Sequence, residues 1–142
     1  MVALAKHKTI SAPFGNEVAE YRFEYDFAED GGATGVLDIM TAGEALIVES
    51  VHTRVLAACT STGSATVKAG VTGDDDRVMN TTQGAVASLT LDAVVLPVVV
   101  EGTPNVVAFP VVLAAGAKLL QTIGTEVLSA GKIQYVVRVR KP

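Results

Sequence analysis

The sequence predicts an all-β protein, an eight-stranded antiparallel jelly-roll β-sandwich with an extended N-terminal arm. Apolar residues make up 49% of the 142 residues and aromatic residues only 5%. The apolar share rests on Val, Ala, Leu and Ile, and its β-branched members favour strands. Short alternating segments separated by turn residues are typical of a sandwich, and about eight of them in one domain are typical of a jelly roll. We assign residues 1–16 to the arm and 17–142 to a single domain.

The arm lacks sustained periodicity and contains Pro13 and Gly15. A basic cluster, Lys6, His7 and Lys8, lies within it. Two interpretations stay open: a solvated tail, or an arm that becomes ordered against a partner.

Four strands are predicted in the first half of the chain. The clearest alternates Tyr and Phe on one face with charged residues on the other. The third is long and has mixed faces, which predicts a central or partly covered strand. The four segments are Glu17–Phe27, Thr34–Met40, Ala45–Ala58 and Ala65–Val71.

An acidic corner follows these strands: Gly73, Asp74, Asp75, Asp76 and Arg77. Acids at a helix start accept hydrogen bonds from free N–H groups, so we predict one short helical turn over Asp75–Asn80. A cation site is the alternative. Calcium needs oxygens that converge, whereas consecutive aspartates point in different directions. We therefore predict a structural corner and no metal.

The second half predicts a short strand, an apolar hairpin and two closing strands. Pro97 and Pro110 place the hairpin at a sheet edge or at bulges, because proline cannot donate to a sheet ladder. The segments are Ala85–Leu91, the hairpin arms Ala93–Val100 and Val106–Leu113, then Lys118–Thr125 and Gly131–Arg140.

Charge predicts which strands are neighbours. Residues 17–49 hold nine of the fifteen acids, and residues 132–141 hold four bases and no acid. Opposite charges facing each other across a strand pair favour that pairing. We expect the first and last strands of the domain to be adjacent, so that Glu20, Glu24 and Asp26 face Arg138 and Arg140.

The composition of the chain argues against several classes of function. A net charge of −4 does not match nucleic acid. The single cysteine, Cys59, excludes an intrachain disulfide and fits a reducing compartment. No targeting segment is evident, and charges and prolines interrupt the most apolar region, so a soluble protein with no membrane span is expected.

Catalytic chemistry finds little support in the sequence. The histidines are His7 and His52, and His52 can be matched with Ser50 and Asp38 only on paper, with no nucleophile-elbow pattern around them. No glycine-rich phosphate loop is present. We predict no enzyme activity and no cofactor.

The apolar hairpin carries runs of valine instead of an alternation. Runs indicate that both faces are covered, either by another subunit or by loops and the arm within the monomer. The candidate oligomer or capsid contacts are Lys6, His7, Lys8, Val98, Val99, Val100, Val106, Val107 and Phe109.

Two stretches resemble small structural proteins of tailed phages: the succession from Gly35 to Met79, with Val67-Lys68-Ala69-Gly70-Val71 and the Gly-Asp corner, and the closing strand from Gly131 to Val139. The family is that of the jelly-roll cement or decoration proteins on the outside of phage heads, such as that of the Bordetella phages. The resemblance covers about half the chain.

The resemblance implies a non-enzymatic clamp on the capsid exterior of the virion, assembled in the host cytoplasm. Its partners would be the major capsid protein and further copies of itself, with a dimer favoured over a trimer, and it would oppose the pressure of packaged DNA. The alternative is a carbohydrate- or receptor-binding module of a tail or fibre, against which the lack of Trp counts.

Overall fold

Two β-sheets pack face to face in the computed structural model, which describes residues 3–4, 8–15, 17–97 and 108–142. The first sheet has the order β1-β3-β11-β5-β8, and β9 also pairs with β5. The second has the order β2-β4-β10-β6-β7. The predicted all-β sandwich is confirmed.

Eleven strands are described. Those of the first sheet are β1 (Ala3–Leu4), β3 (Ala19–Asp26), β5 (Leu46–Thr60), β8 (Val94–Val95), β9 (Val111–Leu113) and β11 (Ala130–Arg140). Those of the second are β2 (Lys8–Ile10), β4 (Gly35–Ala42), β6 (Thr66–Val71), β7 (Asp74–Met79) and β10 (Lys118–Gly124).

The helical elements of the described ranges are short. One α-helix, α1 (Phe27–Asp30), and one 3₁₀ turn, Val86–Ser88, have four and three residues. Both are far shorter than the ~20 residues that a membrane-spanning helix needs.

The first and last long strands are neighbours, as their charges predicted. Strand β11 pairs antiparallel with β3, and this register sets Arg138 opposite Glu20 and Lys132 opposite Asp26. Nζ of Lys132 lies 3.6 Å from Glu24 and 3.7 Å from Asp26. Arg140 differs from the expectation, since it pairs with Glu49 on β5 instead of an acid of β3.

Strand β5 is central, and a bulge explains its mixed faces. Its pairing with β11 shifts where Arg138 meets Ser50 and Val139 meets Val48. Before the bulge Leu46 and Val48 are buried; after it Val51, Thr53 and Val55 are buried. An extra residue at a bulge turns the following side chains to the opposite face, so one strand shows two alternations in sequence.

A cluster of polar side chains lies in the core between the sheets. The hydroxyl of Tyr135 donates to Oε1 of Gln121 at 2.5 Å, and the ladder sets Thr53 beside Tyr135. All three residues are fully buried. Burial raises the pKa of Tyr135 well above its usual value, so the phenol stays neutral and donates.

Three sequence expectations need correction. The residues expected to form a helical turn, Asp75–Asn80, lie mostly in β7, because β6 offers its edge to them. The expected strand Ala85–Leu91 is a 3₁₀ turn over Val86–Ser88. In the described ranges, the two arms of the expected hairpin pair with β5 and not with each other.

Candidate interaction surfaces

One side of the sandwich, here called the arm edge, is formed by β1 and β3 of the first sheet and β2 and β4 of the second. Both β1 and β2 add parallel to these strands. Lys8 of the predicted basic cluster lies in β2, in register with Met40. Lys6 and His7 lie outside the described residues. The described part of the arm is therefore built into both sheets instead of standing away from them.

The opposite side, here called the corner edge, is formed by β7, β8 and β9. The register sets Val71 opposite Asp74, which leaves Thr72 and Gly73 as a two-residue turn. Gly73 has a φ of 88°, a conformation that costs little only for glycine. Gly73 therefore forms the turn, and the three aspartates follow it along an edge strand.

Arg77 ties the corner edge together. Its Nε donates to Oδ2 of Asp74 at 3.1 Å, and its Nη1 donates to the backbone carbonyl of Ala108 at 2.6 Å. One guanidinium thus joins β7 to the segment that leads into β9.

The other aspartates of the corner also have partners in the sheet. Asp75 lies 2.7 Å from Nζ of Lys68. A hydrogen bond with the carboxyl of Asp74 raises the pKa of Asp76. In the part of the chain that the structure describes, no three His, Cys, Asp or Glu side chains are arranged to hold a metal ion. The contacts of these acids organise the edge strand, and their charges discourage strand addition from another chain.

Strands β8 and β9 pair with two different parts of β5, one after the other along its length. Val95 is in register with Thr53, and further along β5 Val111 is in register with Val48. Val94 and Leu96 lie on either side of Val95, and Val112 lies between Val111 and Leu113, so these three point away from the core. Together with Leu91 in the turn before β8, they are the exposed large apolar residues of this edge and are called here the apolar row.

The sequence-predicted apolar contacts are only partly visible. Phe109 is half-buried and packs against the core, so most of its surface serves the fold. Val98, Val99, Val100, Val106 and Val107 lie outside the described residues. In the sequence, Leu96 and Val112 of the exposed apolar row lie on either side of these valines and within the predicted hairpin, although neither was named as a candidate contact.

The structure does not bring together His52 and Asp38, which the sequence analysis considered as a catalytic pair. His52 is half-buried on the outer face of the first sheet, in register with Val136. Asp38 belongs to the second sheet, where its carboxylate accepts from Nζ of Lys118 at 2.6 Å. The two residues lie in different sheets and do not form a catalytic pair.

Two further features were missed by sequence analysis. Phe14, between β2 and β3, is 88% exposed. An open cleft of about 210 Å³ lies where β3 ends, lined by residues that include Tyr25, Val36 and Ile123. Phe14 belongs to no alternating pattern. Its position between Pro13 and Gly15 is the one feature of the sequence that indicates its exposure.

Comparison with known proteins finds a similar fold in a solved phage capsid structure. No protein-family model matches the sequence, and no curated protein matches it. Among solved structures, a chain of the capsid asymmetric unit of cyanophage Pam1 is similar, with a TM-score of 0.60 and 15% sequence identity. The match covers 94% of this chain and 93% of that chain. At this identity, the similarity is one of fold.

Proposed function

We propose that this protein is a cement or decoration protein of a phage head. It binds the outer surface of the capsid as a homo-oligomer and opposes the pressure of packaged DNA. The observation that carries the proposal is the near-complete match with a chain of a cyanophage capsid. The match spans both chains almost entirely, so it concerns the whole fold and not a shared pair of hairpins.

The topology supports a jelly roll of the kind that viral capsid proteins use. Counting β3, β4, β5, β6, β7, β9, β10 and β11 as one to eight, the first sheet has the order 1-8-3-6. The second has the order 2-7-4-5. Successive strands thus pass between two four-stranded sheets except at the hairpin of strands four and five, and the first and last strands are adjacent.

The corner edge is the surface we assign to the capsid. It carries the apolar row, and the candidate contacts Val98, Val99, Val100, Val106 and Val107 lie in the sequence between its members Leu96 and Val112. Apolar side chains surrounded by charged ones are typical of protein interaction sites. A net charge of −4 is compatible with the outside of the head, away from DNA. Lys6, His7 and Lys8 remain candidate contacts of the arm.

The test is to mix the purified protein with undecorated heads of the parent phage and to measure bound protein by cosedimentation and electron microscopy. We expect saturable, symmetric decoration. The double substitution Val94→Glu and Val112→Glu should reduce binding at least tenfold, since it places charges in the apolar row. Val127→Glu, which adds the same charge at an exposed apolar residue between β10 and β11, is the control. Failure of the unaltered protein to bind the heads would reject the proposal, and glycan binding instead would favour a receptor-binding module.

A further inference from the structure

The polar cluster of the core, formed by Tyr135, Gln121 and Thr53, leaves two of its atoms without a hydrogen bond. The hydroxyl of Tyr135 donates to Oε1 of Gln121. Nε2 of Gln121 and Oγ1 of Thr53 are buried, and neither has a hydrogen-bond partner among the residues that the structure describes. Burying a polar group without a partner is costly, so most such groups in protein cores bind another group or an ordered water.

These atoms lie in parts of the two sheets that face each other. Thr53 of β5 is next to Tyr135 of β11 in the first sheet, and Ala69 of β6 is next to Gln121 of β10 in the second. The flanking strands face each other in the same order, since β3 contacts β4 and β5 contacts β7, the partner of β6. Thr53 therefore lies on the same side of the Tyr135–Gln121 hydrogen bond as Ala69.

The side chains on this side of the hydrogen bond are short. Packed sheets lie about 10 Å apart, and Tyr135 and Gln121 span that distance only because both reach into the middle of the core. Thr53 and Ala69 are fully buried as well, but they are too short to meet each other. The distance between them is enough for one small molecule beside the amide of Gln121.

The buried residues restrict the chemical class of that molecule. A metal cation needs oxygen ligands with negative charge, and no Asp or Glu is among the buried residues of the described ranges. No Lys or Arg is among them either, so an anion would be an uncompensated buried charge. An amide N–H that donates and a hydroxyl that donates or accepts suit a neutral molecule with both kinds of group. Water is the smallest such molecule.

We propose that the core holds one water molecule between the two sheets, bound by Gln121, Thr53 and Tyr135. The water accepts hydrogen bonds from Nε2 of Gln121 and from the hydroxyl of Thr53. It donates to Oη of Tyr135, which keeps a lone pair when it donates to Gln121. About three hydrogen bonds to otherwise unpaired groups is the usual number for a buried water.

The water extends a single hydrogen bond into a network. It joins β5 and β11 of the first sheet to β10 of the second, so it restricts sliding of one sheet over the other. A fully bonded polar network in a core favours a single packing arrangement. This role belongs to the fold of one chain and does not rest on the proposed function.

The test is a crystal structure of the full-length protein together with magnetic relaxation dispersion of the water oxygen nucleus in solution. We expect density for a water about 3 Å from Nε2 of Gln121 and from Oγ1 of Thr53. Relaxation dispersion counts the water molecules that stay bound for long times. It follows the oxygen nucleus, so exchange of hydroxyl protons does not imitate the signal.

Three substitutions isolate the site from the rest of the protein. Thr53→Val keeps the shape of the side chain but removes the hydroxyl, so the dispersion should fall by the contribution of one water. Ala69→Val fills the space and should cause the same loss while all three hydrogen-bonding groups remain. Thr53→Ser keeps the hydroxyl and is the matched control, so it should retain the water.

A direct hydrogen bond between Thr53 and Gln121, or a side chain in the place of the water, would overturn the proposal. So would a dispersion that neither Thr53→Val nor Ala69→Val reduces. If Ala69→Val fails to fold, Thr53→Val and the crystal structure still decide, because Thr53→Val adds no bulk to the core. Failure of the unaltered protein to bind phage heads would reject the proposed function and leave this site unaffected.

Discussion

The two edges of the sandwich differ in what links their outermost segments. At the arm edge, short strands β1 and β2 extend both sheets through backbone pairing. At the corner edge, β7, β8 and β9 also pair through their backbones, and Arg77 adds a side-chain link between Asp74 of β7 and the carbonyl of Ala108. A contact made by backbone atoms survives most side-chain substitutions, whereas the contacts of the Arg77 guanidinium are lost when that residue is replaced. The corner edge should therefore be the more sensitive of the two to point substitutions.

The largest effect is expected for Gly84→Ala at the corner edge. A Cβ atom at Gly84 would lie 1.5 Å from the carbonyl oxygen of Val67, a backbone atom that β6 holds in place. Backbone must therefore move, and we expect a loss of more than about 3 kcal/mol in the free energy of unfolding. Urea denaturation measures it.

Gly73→Ala is the matched control, since its Cβ would meet no atom within 4 Å and only its φ of 88° is unfavourable. We expect a loss of roughly 1 kcal/mol. Equal losses for the two glycines would show that the close approach at Gly84 relaxes freely.

Arg77→Leu should follow, with a loss of about 2 kcal/mol, because it leaves the carboxylate of Asp74 and the carbonyl of Ala108 without this donor. Hydrogen exchange should accelerate in residues 108–113 more than in β1 and β2. Arg77→Lys keeps the charge but not the fork of donors, so it should recover only part of the loss. A uniform increase of exchange at both edges would contradict the contrast between them.

High pH should destabilise the arm edge through Tyr25. Burial raises the pKa of its phenol to about 12, and the hydroxyl donates to the carbonyl of Gly31 at 2.6 Å. Between pH 10 and 12 the unfolded chain loses this proton and the folded chain keeps it. The stabilisation is therefore complete below pH 10 and falls as pH rises, by about 1 kcal/mol at pH 11.

The stability of a Tyr25→Phe variant, measured by denaturation from pH 8 to 11, should decline less steeply than that of the unaltered protein. Burial also raises the pKa of the Cys59 thiol to about 11, so Cys59 lowers stability at high pH in the same direction, and its charge interacts with Tyr25. Both proteins should therefore carry Cys59→Ala, so that the difference between them reports Tyr25. Parallel pH profiles would contradict the assignment.

The smallest effect concerns charge on the outer face of the first sheet. Lys132→Glu would bring a third carboxylate towards Glu24 and Asp26, whereas Lys132→Ala only removes a cation. Because these side chains are partly exposed, we expect the reversal to cost less than about 1 kcal/mol beyond the alanine variant. Thermal unfolding at low and high salt measures the difference, which salt should reduce.

Much of the fold could be predicted because alternation and charge are local signals. The inner face of β3 and the pairing of Glu20 with Arg138 follow from residues that are visible in the sequence. The acidic corner could not be predicted in the same way. Aspartates cap helices in isolation, and only the free edge of β6 converts them into a strand. Tertiary pairing overrides local preference at such positions.

The interaction surfaces were harder to predict for a related reason. Runs of valine indicate covered faces but not what covers them, and Phe109 proved to pack against the core. Phe14 and Val36 are exposed because of where the chain turns, and the periodicity of the sequence does not show the positions of these turns. The contacts that the sequence predicts in the hairpin therefore stay predictions, and periodicity alone does not indicate which side chains are exposed.

The place of β11 has a consequence for synthesis of the protein. This strand lies between β3 and β5, so the first sheet has no centre until residues 130–140 have left the ribosome. Completion of this sheet therefore waits for residues 130–140, and it depends on contacts between distant residues, which form slowly. During that interval the edges of β3 and β5 are open, and a chaperone would have its main opportunity to bind the nascent chain.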